Sequence, residues 1–327
     1  MSLKQYWSKD KRKEGSQMSV KTIACALGKI VVCSLTFILG IVIGGLVASL
    51  MKLPAPAMPE GVDSSAAFGY LMLGTPILVT ALAALSKGLR SSFLSRALIL
   101  SFFTWVTYTL NTVIESIAFT DVSPASSLYT TISFFFPCVF CGATVAWLFR
   151  SGTLENSVPM AVRKFFQRRT TRDWAWRVTF AAVVFVPIYL IFGSLVAPLT
   201  KAYFQQGMYG LRQPGWTEML SVLFLRSVIF LLACLPIVVL WQRSHQSLFF
   251  RLGFALFVLV GLLYMLSAYY MPLAIRIPHT LEIFADSFAY AGLLVLVIAK
   301  GGRLDHHVDH SDFPQTRTHE EGGTARL

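Results

Sequence analysis

Apolar residues run along this chain in long unbroken stretches separated by short polar clusters. Eight of the stretches come close to or exceed the ~20 residues that an α-helix, rising about 1.5 Å per residue, needs to cross a hydrocarbon layer of about 30 Å. They extend from Ile30 to Met51, Ala67 to Leu85, Ala97 to Phe119, Tyr129 to Phe149, Val178 to Leu199, Met219 to Trp241, Leu252 to Met271 and Leu281 to Ala299. A closed barrel would alternate apolar and polar residues over segments of roughly ten. Continuous runs leave only helices, because lipid offers the backbone no hydrogen-bond partner. The pattern predicts an all-α, polytopic membrane protein with eight transmembrane helices. Composition agrees: of 327 residues, 55% are hydrophobic and 13% charged, with a mean hydropathy of +0.63. Soluble domains carry roughly a quarter charged residues, so soluble enzymes and disordered regulators are excluded.

Charge then sets the orientation. With the N-terminus in the cytoplasm, 23 of the 28 Lys and Arg fall on the cytoplasmic side. Lys52, Lys201, Arg212 and Arg276 fall outside, and Arg226 lies within a span. This asymmetry is the positive-inside bias, and it predicts an integral protein of a bacterial-type cytoplasmic membrane with both termini inside. The formal charge of +12 then meets anionic headgroups at the cytoplasmic face, so the bilayer is the expected partner and nucleic acid is not required. The stretch before the first span carries Lys4, Lys9, Lys11, Arg12 and Lys13, and no small-x-small cleavage pattern follows it; it reads as a retained anchor.

Five segments follow: a basic N-terminus (1–29), a first four-helix half (30–149), a basic connector (150–177), a second four-helix half (178–299) and a polar tail (300–327). The second half repeats the spacing of the first, with Arg96 and Arg251 matched at the cytoplasmic starts of spans three and seven. Four crossings per half would relate the halves by an axis along the membrane normal, as in parallel transporter repeats, although any eight-helix bundle with similar loops self-aligns comparably. Ala161 to Arg169 has the look of a basic amphipathic helix, with Trp174 and Trp176 at headgroup level. The tail, with His306, His307, His310 and His319 among acidic residues, predicts disorder, with metal capture as the alternative. Cys25 sits at a span boundary while Cys33, Cys138, Cys141 and Cys234 lie within spans, where no disulfide is expected and the Cys138-x-x-Cys141 pair reads as packing. Gly40, Gly44 and Gly45 form a G-x-x-x-G face suited to close internal packing. Pro76, Pro137, Pro187 and Pro236 permit kinks. The segments Lys52 to Ser65 and Lys201 to Glu218 are candidate outer lids.

Ionisable residues within spans are the best functional pointers, because each costs about 2.5–3.5 kcal/mol to insert. Glu115 and Arg226 lie in spans three and six, and His279, Glu282 and Asp286 lead into span eight, all toward the outer side. At 100° per residue, His279, Glu282 and Asp286 share one helix face. Tyr108, Asn111 and Glu115 repeat the same i, i+3, i+7 spacing on span three. Facing one another, the two stripes would surround a pocket, with Arg226 as counter-charge and Arg276 at its mouth. Three functions fit. A carboxylate withdrawn from water can trade a proton for a cation or a protonated substrate, which points to gradient-driven passage of a small solute or ion through Tyr108, Asn111, Glu115, Arg226, Glu282 and Asp286. His279, Glu282 and Asp286 could instead hold a divalent metal for an enzyme acting on lipid-like substrates. The third function is structural or accessory, a polar network that only fixes helix packing, with or without a partner subunit. The first and third need no cofactor. H-E-x-x-H, G-x-S-x-G and G-x-x-x-x-G-K-[ST] strings are all absent from the sequence, which weakens the enzyme and leaves no site for driving transport with ATP.

Overall fold

Each of the eight apolar runs is a helix in the computed structural model, which describes residues 20–57, 62–150 and 158–300. In chain order the helices are α1 (Val20–Leu50), α2 (Ser64–Ser86), α3 (Phe93–Phe119), α4 (Pro124–Leu148), the short α5 (Val158–Gln167), α6 (Thr171–Gln205), α7 (Trp216–Val239), α8 (His245–Ser267) and α9 (Leu273–Ala299). All but α5 are long and apolar enough to span a bilayer, and the chain is an integral membrane protein. The polar tail and the first nineteen residues lie outside the described residues.

Helix starts follow local chemistry. The side chains of Asp63, Ser92, Ser123, Thr170 and Ser244 each accept a hydrogen bond from a backbone N–H two or three residues on, supplying acceptors for donors that the first turn leaves unpaired. Every span starts earlier than hydropathy places it, and two cases show why. α1 runs back to Val20 because nothing from Val20 to Lys29 breaks a helix, and Lys29 keeps its ammonium over the Phe149 ring at 5.9 Å. α6 begins at Thr171, capped by Thr170 with Asp173 in its first turn, so the last quarter of the expected connector is already helix. The amphipathic segment is α5, whose Phe165 packs on Trp174 of α6.

Irregularities inside the spans have identifiable causes. Pro137 lacks the N–H that would bond the Ser133 carbonyl, and α4 breaks at Phe134 (φ −89°, ψ −2°). The indole of Trp105 donates to the Thr131 carbonyl at 3.3 Å beside that break. α3 loosens into a π-turn at Trp105–Leu110, and α8 does the same at Val258–Leu262.

In the first four spans α1 packs on α2 and α4, and α3 on α4; in the last four α6 packs on α7 and α9, and α8 on α9. Across the two sets α2 packs on α8, α7 packs on α3, and the π-turns of α3 and α8 meet near the centre. The most apolar windows of α3 and α8 are 61% buried and that of α6 only 11%, which places α3 and α8 inside and α6 at the rim. The connecting loops pair as well. Leu89 bridges Trp241 at the basic end, where Gln242 N–H donates to the Gly88 carbonyl at 3.2 Å and Arg243 Nε to that of Lys87 at 3.0 Å. Thr120 bridges Leu211 at the opposite end. Ser92 and Ser244 cap α3 and α8 alike, and counted from those caps Arg96 corresponds to Leu248 rather than to Arg251. Arg251 instead donates to the Ala84 carbonyl at 2.7 Å.

The connector holds α9 at its basic end. Arg177 Nη1 donates to the Val297 carbonyl at 2.7 Å, Arg169 bonds the carbonyls of Val297 and Lys300, and Asp173 Oδ2 pairs with Arg177 Nε at 2.9 Å. These cations satisfy the carbonyl of Val297, in the terminal π-turn of α9 (Val295–Ala299), and that of Lys300 just past it.

The glycine face of α1 packs internally. A Cβ at Gly40 would strike the backbone of Phe136 and Pro137, and one at Gly44 the backbone of Ser133, whereas one at Gly45 would meet only Tyr129 Oη at 3.6 Å. Gly44→Ala is therefore expected to destabilise the purified protein by about 1–3 kcal/mol through overpacking and Gly45→Ala to leave it unchanged. Thermal unfolding of the two variants in detergent checks the contrast.

Candidate functional site

The polar site lies where α3, α6, α7 and α9 converge. Arg226 sits roughly 15 Å along α7 from its first residue, and it is 2% exposed. Its Nε donates to Asn111 Oδ1 at 2.8 Å, and Nη1 lies 2.8 Å from Glu115 Oε1, an ion pair bent away from hydrogen-bond alignment. Asn111 is fully buried and donates from Nδ2 to Glu115 Oε2 at 3.2 Å. Arg226, Asn111 and Glu115 thus close a triangle that ties α3 to α7. Aromatic faces complete the cation's surroundings: the guanidinium carbon is 5.0 Å from the Tyr189 ring centre, 5.7 Å from Phe230 and 5.9 Å from Phe185. Ring faces stabilise a desolvated cation without adding a second full charge.

On α9, His279 Nδ1 and Glu282 Oε2 are 2.8 Å apart. Glu282 is 7% exposed, and α6 makes room for it with Gly193, where a Cβ would come within 3.1 Å of Glu282 Oε1. One helical turn further in, roughly 20 Å along α9, Asp286 has a buried Oδ1 with no hydrogen-bond partner among the described residues. It lies within coulombic range of Glu282, Arg226, His279 and Glu115. A further turn brings Tyr290, 1% exposed, whose hydroxyl is likewise buried without a partner.

Glu115, Arg226, His279 and Asp286 line one cavity together with Tyr189, Ser287 and Tyr290, and apolar side chains close the rest. The space open to the centre of a water molecule is about 20 Å³, enough for a water or a bare monovalent cation and too small for a larger solute in this conformation. Two polar atoms without partners, Asp286 Oδ1 and Tyr290 Oη, belong to residues lining this space. That is the setting in which a buried polar group binds a small polar guest.

The candidate residues on α9 and α7 converge, and so do Asn111 and Glu115 of α3. Tyr108 does not join them. Its ring stands 5.6 Å from Phe134 and 6.5 Å from Phe37, among α1 and α4. The π-turn between Trp105 and Leu110 winds the backbone by less than 100° per residue, so the i, i+3 relation between Tyr108 and Asn111 is not that of an α-helix. The metal alternative has no arranged ligand set, since no three His, Cys, Asp or Glu among the described residues are placed to hold an ion. Tyr189, Ser287 and Tyr290 were missed by attending to charge alone; a hydroxyl in mid-span, one turn from Asp286 in the case of Tyr290, was the available signal. The loop after α6 covers α3 rather than the cavity: Arg212 pairs with Glu218 at 2.5 Å and donates to the carbonyls of Phe119 (backbone N–H, 2.8 Å) and Ile117 (side chain, 2.7 Å).

No family model, curated protein or solved structure matches the chain.

If the triangle holds α3 to α7, Arg226→Met strands a carboxylate and is expected to lower stability by about 3 kcal/mol. Adding Glu115→Gln to Arg226→Met removes the stranded charge and is expected to recover at least 1 kcal/mol of that loss. Chemical or thermal unfolding of the two singles and the double in detergent measures the coupling; additive effects would show the ion pair to be energetically idle.

Proposed function

We propose that the protein passes a small monovalent cation across the membrane in exchange for a proton, with Asp286 as the group that both occupy in turn. One observation carries the reading. Among the intramembrane acids of this cluster, Glu115 has Arg226 and Glu282 has His279, while Asp286 has no cation bonded to it. An ionised carboxylate in hydrocarbon needs a neutralising partner. A proton and a small cation are the two partners that fit a cavity of about 20 Å³. Such a site favours exchange over leak, because vacating it leaves the charge uncompensated.

The other groups then have distinct tasks. Arg226 keeps Glu115 neutralised and prevents the site from holding more than one added positive charge. His279, partly exposed and bonded to Glu282, stands between the cavity and the near end of α9 and can relay protons in that direction. Tyr290 extends the polar line toward the basic end. The similar packing of α1–α4 and α6–α9 supports treating the two sets as parallel repeats, with passage arising where α6 and α9 shift against α3 and α7. A gradient of either ion would drive the other.

The test uses the purified protein in liposomes that enclose a pH-sensitive dye. External Li⁺, Na⁺ or K⁺ is expected to make the lumen alkaline at least several-fold faster than in protein-free vesicles, and Asp286→Asn to abolish the response while the variant still elutes as a monodisperse species. If none of the three cations moves protons, or if Asp286→Asn exchanges as well as the unaltered protein, the assignment fails.

A further inference from the structure

A second cavity, of about 200 Å³, opens on the other side of α9, between its first turns and the end of α8. Its walls are Leu262, Met265 and Leu266 of α8 and Leu273, Ile277 and Leu281 of α9, with Arg276 and Thr280 as its only polar residues. Leu273, Ile277 and Leu281 are more than half exposed, so the cavity opens on the surface that faces lipid rather than into the bundle.

The cation is fixed in place. Arg276 Nε donates to the Met265 carbonyl at 2.9 Å, which anchors the guanidinium at the cleft, and its two terminal nitrogens make no hydrogen bond among the described residues. No carboxylate among the described residues pairs with it. Thr280 Oγ1 donates to the Arg276 carbonyl at 2.6 Å, so its hydroxyl hydrogen is taken up within α9. Arg276 stands roughly 5 Å into α9 by helical rise, the depth of the headgroup boundary, while Ile277 and Leu281 continue toward the hydrocarbon. A bound anion with an apolar tail satisfies both parts of this cleft. A free anion satisfies only the upper part, and an acyl chain alone only the lower.

We propose that this cleft binds one phospholipid, with its phosphate on Arg276 and one acyl chain along Leu266, Ile277 and Leu281. Guanidinium is the side chain best matched to a phosphate, giving two parallel N–H···O bonds. The bound lipid would brace the α8–α9 contact on the side away from the polar cavity. The proposal does not depend on what passes through that cavity.

Native mass spectrometry of the full chain in a maltoside detergent, titrated with phosphatidylglycerol, tests it. The unaltered protein is expected to take up one lipid with an affinity at least five-fold above that of any further adduct. Arg276→Gln should weaken that first adduct at least five-fold. Ile277→Trp, which fills the cleft without touching the Arg276–Met265 bond, should do the same. Arg90→Gln, an exposed cation at the opposite end of the bundle, should change nothing. Should Arg276→Gln fail to fold, Ile277→Trp decides alone. Undiminished lipid uptake by the folded variants overturns the proposal, and so does displacement of the lipid by millimolar inorganic phosphate, which would reassign the site to a free anion.

Discussion

A charge in hydrocarbon must be neutralised by something within reach, and the interior of this bundle is organised around that requirement. Arg226 is the hub. Its guanidinium meets Asn111 and Glu115 on α3 while three aromatic rings from α6 and α7 surround it. Because α3 belongs to the first four spans and α7 to the last four, this one cation joins the two sets through polar contacts rather than apolar packing alone. Between lipid-soaked helices apolar packing discriminates poorly, since lipid tails compete as equals. A bonded charge triangle has one satisfactory geometry. Its depth in α7 therefore fixes the register of α7 against α3, and with it the place of the cavity beside them.

Hydropathy made most of the fold legible. Each span could be read from runs of apolar residues, since lipid requires a long apolar helix wherever the chain crosses. What could not be read depends on contacts from elsewhere in the chain. Lys29 of α1 has its ammonium over the ring of Phe149, more than a hundred residues away. The face on which Tyr108 lies is set by a π-turn that no propensity announces. The candidate site was readable to the extent that charge marks it. Glu115, Arg226, His279, Glu282 and Asp286 stand out in apolar runs, whereas Tyr189 and Tyr290 resemble ordinary interfacial aromatics until the backbone places them beside Arg226 and Asp286. The match of Arg96 with Arg251 rested on two similar letters at similar depth; caps, being tied to the first turn of each helix, are the sounder ruler.

Small residues do the complementary work. Gly40 and Gly44 let α1 lie directly on the backbone of α4, Gly193 gives the Glu282 carboxylate its place against α6, and Gly88 leaves room for the Trp241 ring where the two basic-end loops pair. In each case the missing side chain is what allows a larger or more polar neighbour to be enclosed. The four intramembrane cysteines belong to the same class, buried and free.

The two sets of spans pack in the same pattern but differ in what they enclose. Where α2 meets α8, Leu263 sits against Gly74 and the surroundings are Leu78, Leu82 and Leu259, all fully buried. Where α7 meets α3, the corresponding space holds Arg226 and its partners, with the cavity alongside. A dry contact of this kind is close-packed and resists deformation. A polar one with orphaned hydroxyl and carboxylate oxygens is less stable locally and rearranges at lower free-energy cost. α6 is the least enclosed span, and α9 is held at its basic end by Arg169 and Arg177. A motion that opens the cavity would therefore fall on α6, which places Tyr189 at the cavity wall and Gly193 beside Glu282. α9, which carries His279, Glu282 and Asp286, is tied at both ends, by Arg169 and Arg177 at the basic end and by the Arg276–Met265 bond to α8 at the other, which leaves α6 as the cavity wall with the fewest ties.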